Sequence, residues 1–322
     1  MKVYRHLNEF QKVKDAVVTI GTFDGVHIGH RKIISRLTEV AKQINGESVI
    51  LTFFPHPRMI LNPEDVNLKL ITTINEKAQL LEKLGVDHLI ITPFTRDFSN
   101  LSAETYIKQI LVDKIGTSRI IIGYDHHFGK DREGNLHQLQ KYASEYHYQV
   151  EEIPEQDIHD VAVSSTEIRQ ALAKGDVETA NDFLGYPFSL FGQVIKGDQL
   201  GRTLGFPTAN LLIEENYKLI PADGIYAVKV KIPAESQSSN PQPENPEYKI
   251  YKGMAYIGNR PTINGMSRNI EVNIFDFSQD IYRQYISVEF HHFIRDDIRF
   301  DNITALKVQI TNDKKSAITL LS

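Results

Sequence analysis

Two histidines three residues apart, His27 and His30, stand in the stretch Gly21-Thr22-Phe23-Asp24-Gly25-Val26-His27-Ile28-Gly29-His30. An apolar run, Ala16 to Ile20, precedes it and reads as a buried strand. Ile33, Ile34, Leu37, Val40, Ala41 and Ile44 follow at the spacing of one helix face. The histidines and the glycines Gly21, Gly25 and Gly29 therefore occupy a strand-to-helix turn. Free backbone N–H groups and the helix dipole favour an anion there. At positions i and i+3 both rings can reach one phosphate. Strand, Gly-rich turn and HxGH together point to a nucleotide-binding enzyme acting at the α-phosphate of ATP.

A second group of such residues lies near the other end of the chain. Gly201-Arg202-Thr203-Leu204-Gly205-Phe206-Pro207-Thr208-Ala209-Asn210 follows Gly192 to Asp198, which includes Gly197. Glycines permit tight turns and close approach to phosphate oxygens. Thr208 and Asn210 alternate on an extended backbone and can face one site, where a hydroxyl and an amide oxygen suit Mg²⁺ and phosphate. The plain alternative is a Gly-rich β-turn with a capping threonine. In Asn269 to Phe277, Glu271, Asn273 and Phe275 share one strand face. Glu271 is either a solvated strand glutamate or the group that orients or deprotonates a substrate hydroxyl. Ser164, Ser165 and Thr166, followed by Arg169, read as a helix N-cap cluster around Ser165 or as a pyrophosphate clamp. His126 and His127, and His291 and His292, are adjacent pairs, and no HxxxH or HExxH spacing points to zinc.

The elements that must position these residues fall into two textures. Strand patterns at Glu47 to Phe54, Val86 to Pro93, Arg119 to Gly123 and Tyr148 to Ile153 alternate with helix patterns. Thr73 and Glu76 form a capping box for a helix that Gly85 closes, Ser102 caps one running to Lys114, and Asn135 to Tyr146 is a third. This order predicts a parallel sheet covered on both faces, with ligands at the carboxyl ends of its strands. GTFDGVHIGH, FFPHPR (with Pro55, His56 and Pro57) and GYDHHFG (with Asp125) each follow a strand. Short helices are expected from Ser165 and after Asp176. From Tyr186 strands succeed one another without crossover helices: 189–195, 224–232, 248–257, 269–277 and 285–293. That pattern predicts an antiparallel barrel or sandwich, with a terminal helix from Ile303. The texture divides the chain into 1–185 and 186–322. The proline-rich stretch Pro233 to Glu247 reads as a long hairpin loop.

Composition narrows the function classes. The chain has 322 residues, 41% hydrophobic and 24% charged, as for an ordinary globular protein of two domains. A formal charge of −5 offers no global field for nucleic acid. There is no cysteine, which excludes disulfide scaffolds, thiolate zinc sites and cysteine nucleophiles. The first residues lack an apolar signal core and no run is long enough to span a bilayer, so no membrane partner and a cytoplasmic location are expected.

These stretches together resemble the bacterial bifunctional riboflavin kinase/FAD synthetases, in the expected order and over nearly the whole chain. GTFDGVHIGH, FFPHPR and VSSTEIR resemble the adenylyltransferase motifs. GRTLGFPTAN, GIYAV, the Gly258 to Thr262 stretch and EVNIFDF resemble the kinase motifs. Class I aminoacyl-tRNA synthetases share HxGH, but the acidic charge and the missing lysine-rich signature loop disfavour them. The resemblance implies an α/β Rossmann-like nucleotidyltransferase domain with a parallel sheet over 1–185. Over 186–322 it implies an all-β antiparallel barrel with a terminal helix. It implies that riboflavin is phosphorylated by ATP to FMN, and that FMN is adenylylated by a second ATP to FAD with release of pyrophosphate. Glu271 aligns with the catalytic base, and Thr208 and Asn210 with the Mg²⁺ and phosphate positions. The loop from Gly197 to Gly205, with Gly201, Arg202 and then Pro207, aligns with the nucleotide wrap. His27 and His30, with Gly21, Phe23, Asp24 and Gly29 around them, align with the ATP phosphate site. Ser164, Ser165, Thr166 and Arg169 align with the pyrophosphate or FMN-phosphate site, and Pro55, His56, Pro57 and Asp125 with the flavin side. Two positions depart from the family pattern: Asn273 replaces a histidine, and Arg283 a glycine. The implied partners are small molecules, with a monomer or weak homo-oligomer. A single-activity adenylyltransferase with a flavin-binding barrel and a non-enzymatic flavin carrier or sensor are the alternatives.

Overall fold

The computed structural model describes residues 1–64, 68–154, 163–197, 199–234, 247–258 and 268–322. The interior of the proline-rich stretch (235–246), Asp198 and the positions from Asn259 to Thr262 lie outside the described residues.

Met1–Ser165 form one packed unit. Its strands are β1 (Lys2–Tyr4), β2 (Ala16–Ile20), β3 (Ser48–Phe53), β4 (His88–Thr92), β5 (Thr117–Gly123) and β6 (Gln149–Ile153). They make one parallel sheet in the order β1-β4-β3-β2-β5-β6. Parallel strands buried on both faces must be apolar throughout, and β2, AVVTI, is buried at every position. Side chains alternate between the two faces. Val18, Leu51, Ile90 and Ile120 pack with Tyr106, Ile107 and Leu111 on one side. Val17, Ile50, Leu89 and Ile121 pack with Ile34, Leu37 and Val40 on the other. Those last three belong to helix α1 (Ile28–Gln43). The strand order reverses at β2: β3 lies on one side and β5 on the other. Such a switch point opens a crevice outside the carboxyl ends of the two strands.

Helix α2 (Pro57–Leu61) and helix α3 (Ile74–Lys83) follow β3, and α3 carries the expected Thr73–Glu76 capping box. Ser102 caps its helix as read, but from Tyr106 to Ile115 the helix is widened to π geometry before Gly116 ends it at φ +74°. Sequence periodicity does not separate 3.6 from about 4.4 residues per turn over so short a span. Strand β1 and helix α2 are additions to the sequence reading. β1 is only three residues long, two of them exposed, and carries no apolar run.

Thr166–Ser322 form the second unit, a closed barrel. Its strands are β7 (Ser189–Ile195), β8 (Ala209–Leu212), β9 (Gly224–Pro233), β10 (Tyr248–Gly258), β11 (Asn269–Ile274) and β12 (Tyr285–Arg295). They close in the order β10-β11-β8-β7-β12-β9, all neighbours antiparallel. The barrel thus prevails over the sandwich alternative, and β8 joins the strands foreseen. The terminal helix runs from Ile303 to Leu320. Its Asp313 is buried and takes a bidentate pair from the Arg295 guanidinium (Nε–Oδ1 3.0 Å, Nη2–Oδ2 2.7 Å).

Sequence texture puts the boundary after Gly185; packing puts it after Ser165. The helix Val177–Leu184 goes with the barrel because the Asn181 amide donates to the Phe290 carbonyl (2.8 Å) and its oxygen accepts from Phe188 N–H (2.6 Å). Helical texture alone carries no information about which neighbour a helix packs on.

Two candidate phosphate sites

The turn after β2 is held in an unusual backbone path. Phe23 and Val26 have φ of +45° and +39°, and Gly25 has +85°. Positive φ at a bulky or β-branched residue costs about 1–3 kcal/mol and persists only where packing over-determines it. Both side chains are buried in the core. Asp24 supplies the rest of the hold. It is 1% exposed, and its carboxylate accepts from Ile71 N–H (3.0 Å), Thr72 N–H (3.2 Å) and the Thr72 hydroxyl (3.4 Å). Thr72 Oγ1 in turn accepts from Gly25 N–H (3.1 Å). Asp24 is therefore a structural pin, with its oxygens turned inward.

This path delivers His27 to the N-cap of α1, where Nδ1 accepts from His30 N–H (3.4 Å). The two rings stack with centroids 3.6 Å apart and planes 23° from parallel. Phe23 meets His30 edge-on at 5.2 Å. Burial holds the His30 imidazole well below its ordinary range, with His27 and Lys77 adding to the effect. Its Nδ1 is buried with no hydrogen-bond partner among the described residues. The two rings lie on one turn, as the spacing predicts, and meet there as a stacked pair. Gly29 is buried in the same first turn. Gly21 lets the Phe23 ring close: a Cβ there would lie 3.0 Å from it.

Lys77, absent from the sequence reading, completes this site. It is 3% exposed, and its ammonium donates to the Thr22 carbonyl (2.6 Å). Burial lowers its pKa to about 8, opposed by the charge of Asp24. Ser165 opens the helix Ser165–Ala173, and its hydroxyl donates to the Asp24 carbonyl (2.9 Å), so Ser165 braces the turn rather than capping its own helix. Ser164 is exposed just before that helix; Thr166, exposed, and Arg169, half-buried, lie on it.

A continuous row of rings runs from the end of β3 through the segments that follow β4 and β5. Phe53 contacts Phe94 (5.6 Å) and Phe98 (5.5 Å), Phe98 contacts Tyr106 (5.8 Å), and Tyr106 contacts Phe128 (5.1 Å). His126 stacks on Phe128 at 5.8 Å, and burial lowers its pKa to about 4. The sequence reading did not single out these rings. Asp125 is exposed beside them. His56 is spent on the N-cap of α2, with Nδ1 accepting from Arg58 N–H (3.1 Å), between Pro55 and Pro57.

In the barrel, β8 and β11 pair so that Asn210 stands opposite Glu271. The Glu271 carboxylate is held from two sides: Thr208 Oγ1 donates to Oε2 (3.0 Å) and Asn269 Nδ2 to Oε1 (2.7 Å). Asn273, at the position where the resembled family has histidine, donates to the Pro207 carbonyl (2.7 Å) and braces the turn before Thr208. The Asn210 amide lies against Gly197, where a Cβ would fall 2.3 Å from its nitrogen. The glycine-rich stretch is not the plain β-turn of the alternative reading. It contains a short helix, Leu200–Leu204, ended by Gly205 at φ +88°. Gly201 admits the Phe206 carbonyl at a distance that a Cβ would close to 2.4 Å, and Arg202 is exposed on that helix. Strand β11 ends at Ile274, short of the expected Phe277, because the chain turns at Asp276 with φ +53°. Arg283, in place of the family's glycine, keeps a left-handed φ of +66°.

Thr208, Asn210 and Glu271 gather hard oxygen donors, the set that Mg²⁺ takes beside phosphate oxygens. Among the described residues no group of three or more His, Cys, Asp or Glu could cage a metal alone. Among them no helix is long and apolar enough to cross a membrane.

Residues 9–167 match the FAD synthetase family and residues 184–321 the riboflavin kinase family. The chain is 37% identical over 318 residues to a bifunctional riboflavin kinase/FMN adenylyltransferase of Haemophilus influenzae, covering 98% of each. It is 35% identical to that of Escherichia coli K12, covering 98% of this chain and 97% of the other. A crystal structure from Streptococcus pneumoniae, described as a macrolide-efflux protein, superposes with a TM-score of 0.85 at 30% identity over 98% of both chains. Each of the two site-bearing segments thus meets one of two catalytic families, and full-length relatives join both in one chain. This protein belongs to the bifunctional riboflavin kinase/FMN adenylyltransferases, enzymes of flavin cofactor biosynthesis.

Proposed function

We propose that the His27–His30 turn carries the adenylyl transfer and that Glu271 with Thr208 carries the phosphoryl transfer. The observation behind this division is the fate of the acid in each motif: Asp24 is turned inward and saturated by Ile71 and Thr72, whereas Glu271 stands beside Thr208 and Asn210. In the barrel the riboflavin 5′-hydroxyl must lose a proton as its oxygen bonds to the γ-phosphorus of ATP and the bond to ADP breaks. Glu271 receives that proton. Thr208 and Asn210 would hold Mg²⁺ with the phosphates, and the ion would supply charge neutralisation at the transferred group. Gly197, Gly201 and Gly205, with Arg202 and Pro207, wrap the nucleotide.

In the parallel-sheet unit the attacking group is an FMN phosphate oxygen, already ionised. It bonds to the α-phosphorus of ATP as the bond to pyrophosphate breaks, and no base is required. His27 and His30 donate to the phosphate oxygens as charge develops, and the N-terminus of α1 adds its dipole. Ser164, Ser165, Thr166 and Arg169 take the pyrophosphate or the FMN phosphate. The half-buried rings Phe53, Phe94 and Phe98 offer apolar surface for an isoalloxazine ring, backed by the core rings Tyr106 and Phe128 and flanked by Pro55, His56, Pro57 and Asp125. We assign the protein to the cytoplasm, as a monomer or weak homo-oligomer with small-molecule partners only.

Chromatography of two incubations of Glu271→Ala tests the division. Riboflavin, ATP and Mg²⁺ should give no FMN and no ADP; FMN, ATP and Mg²⁺ should give FAD at the rate of the unaltered protein. FMN formation at an undiminished rate would overturn the role given to Glu271.

A further inference from the structure

Glu271 is not held by the phosphate-site residues alone. Asn269, two residues before it on β11, sends its side-chain amide back to Oε1 at 2.7 Å, the shorter of the two bonds that fix the carboxylate. Asn269 is 7% exposed. A carboxylate only accepts, so the amide must present its NH₂ there. On a regular strand, residues i and i+2 share a face, and Asn269 and Glu271 use that neighbourhood. The opposite oxygen takes the Thr208 hydroxyl proton, which leaves the lone pairs of Thr208 free to face the phosphate site. The two donors thus divide the labour. Thr208 ties the carboxylate to the phosphate site, and Asn269 fixes its rotation about the last side-chain bond.

We propose that Asn269 is a positioning residue for riboflavin phosphorylation. It locks the Glu271 carboxylate in the orientation that receives the hydroxyl proton, without itself touching substrate. This inference rests on the assignment of Glu271 as the base. A terminal carboxylate torsion is soft, so a base tethered at one oxygen alone samples orientations in which its free lone pair misses the hydroxyl. The loss should appear in turnover and not in substrate capture.

The test compares Asn269→Ala, Asn269→Asp, Asn269→Gln and Glu271→Gln in the full-length protein. FMN formation is assayed from riboflavin, ATP and Mg²⁺, and FAD formation from supplied FMN in the same preparations. Asn269→Ala should lower kcat for FMN formation about tenfold to a hundredfold, the range set by one hydrogen bond to a charged group. KM for riboflavin and for ATP should stay within about twofold. Asn269→Asp has almost the same shape but sets a second carboxylate against the first, so its kcat should fall below that of Asn269→Ala. Asn269→Gln keeps the amide donor and should recover part of the rate. A merely structural role predicts the reverse order, with the isosteric Asp tolerated better than Ala, and that order overturns the proposal. Equal kcat in all three Asn269 variants and the unaltered protein also overturns it, provided Glu271→Gln is inactive. Retained FMN formation in Glu271→Gln overturns the assignment of the base and the proposal with it. Should Asn269→Ala melt the barrel, seen as loss of the upper or lower thermal transition, Asp against Gln carries the same comparison.

Discussion

The two units handle the same cosubstrate with opposite equipment. In the parallel-sheet unit the only acid of the phosphate turn, Asp24, is buried and bonded to backbone N–H groups, and the groups left to face a ligand are imidazoles at a helix N-terminus. In the barrel there is no histidine among Thr208, Asn210, Glu271 and their braces, and the acid stands forward, oriented by two side chains. On the proposed division, the difference follows from the nucleophile. A phosphate oxygen arrives ionised and asks only for stabilisation of the charge that develops; an alcohol arrives with a proton that must go somewhere. The content of each site can thus be derived from the protonation state of the group that attacks.

Breaking that comparison at the histidines should give the largest effect. His30→Ala should lower FAD formation from FMN about a hundredfold to a thousandfold, with FMN formation from riboflavin unchanged; initial rates of the two half-reactions measure both. Equal losses in both would mean that the two sites are not separable. Asp24→Asn comes next and should act on stability. An amide cannot accept from all three donors without leaving a buried polar group unmatched, so the parallel-sheet unit should lose about 2–4 kcal/mol in urea unfolding. A base at this position would instead give a folded protein with a collapsed rate.

Lys77 sharpens the contrast through pH. Its pKa, lowered by burial to about 8, means that the unfolded chain binds the proton more strongly between pH 8 and 10.5. Folding stability from this group therefore rises with pH across that window, while the charge that grips the Thr22 carbonyl is lost. Adenylyl transfer should decline above pH 8 and the kinase reaction of the same sample should not. Lys77→Met should lower FAD formation about tenfold and flatten that alkaline limb. The smallest expected effect is at Arg283. Glycine relieves a left-handed φ, so Arg283→Gly should stabilise the barrel by about 0.5–1 kcal/mol with neither reaction altered, as read by thermal melting.

What was legible in the chain divides along the same line. Apolar runs such as Ala16–Ile20 and Ser189–Ile195 appear as strands at the expected residues, because burial on a sheet writes itself into local composition. That His27 and His30 share one turn was legible because their spacing is local; their stacking was not. Lys77 and the bracing role of Asn273 were not, since their partners Thr22 and Pro207 are 55 and 66 residues away. The bond from Thr208 to Glu271 spans 63 residues and was not legible either; each residue was singled out only by itself. The short helix at Leu200–Leu204 was hidden by its own glycines, Gly201 and Gly205, which weigh against a helix locally but admit the close turn to Phe206. The packing boundary at Ser165 was illegible because a helix announces its apolar face and not its neighbour.

The face-to-face imidazoles also bear on how fast the enzyme can let go. Two rings 3.6 Å apart repel if both are protonated, and burial already disfavours charge on His30. On the proposed division, an uncharged His30 adds no ion pair to the departing diphosphate beside the one that Arg169 offers, and its share of the grip weakens little with added salt. Release of the diphosphate from that half of the molecule would then be resisted by one guanidinium and not by a cluster of them.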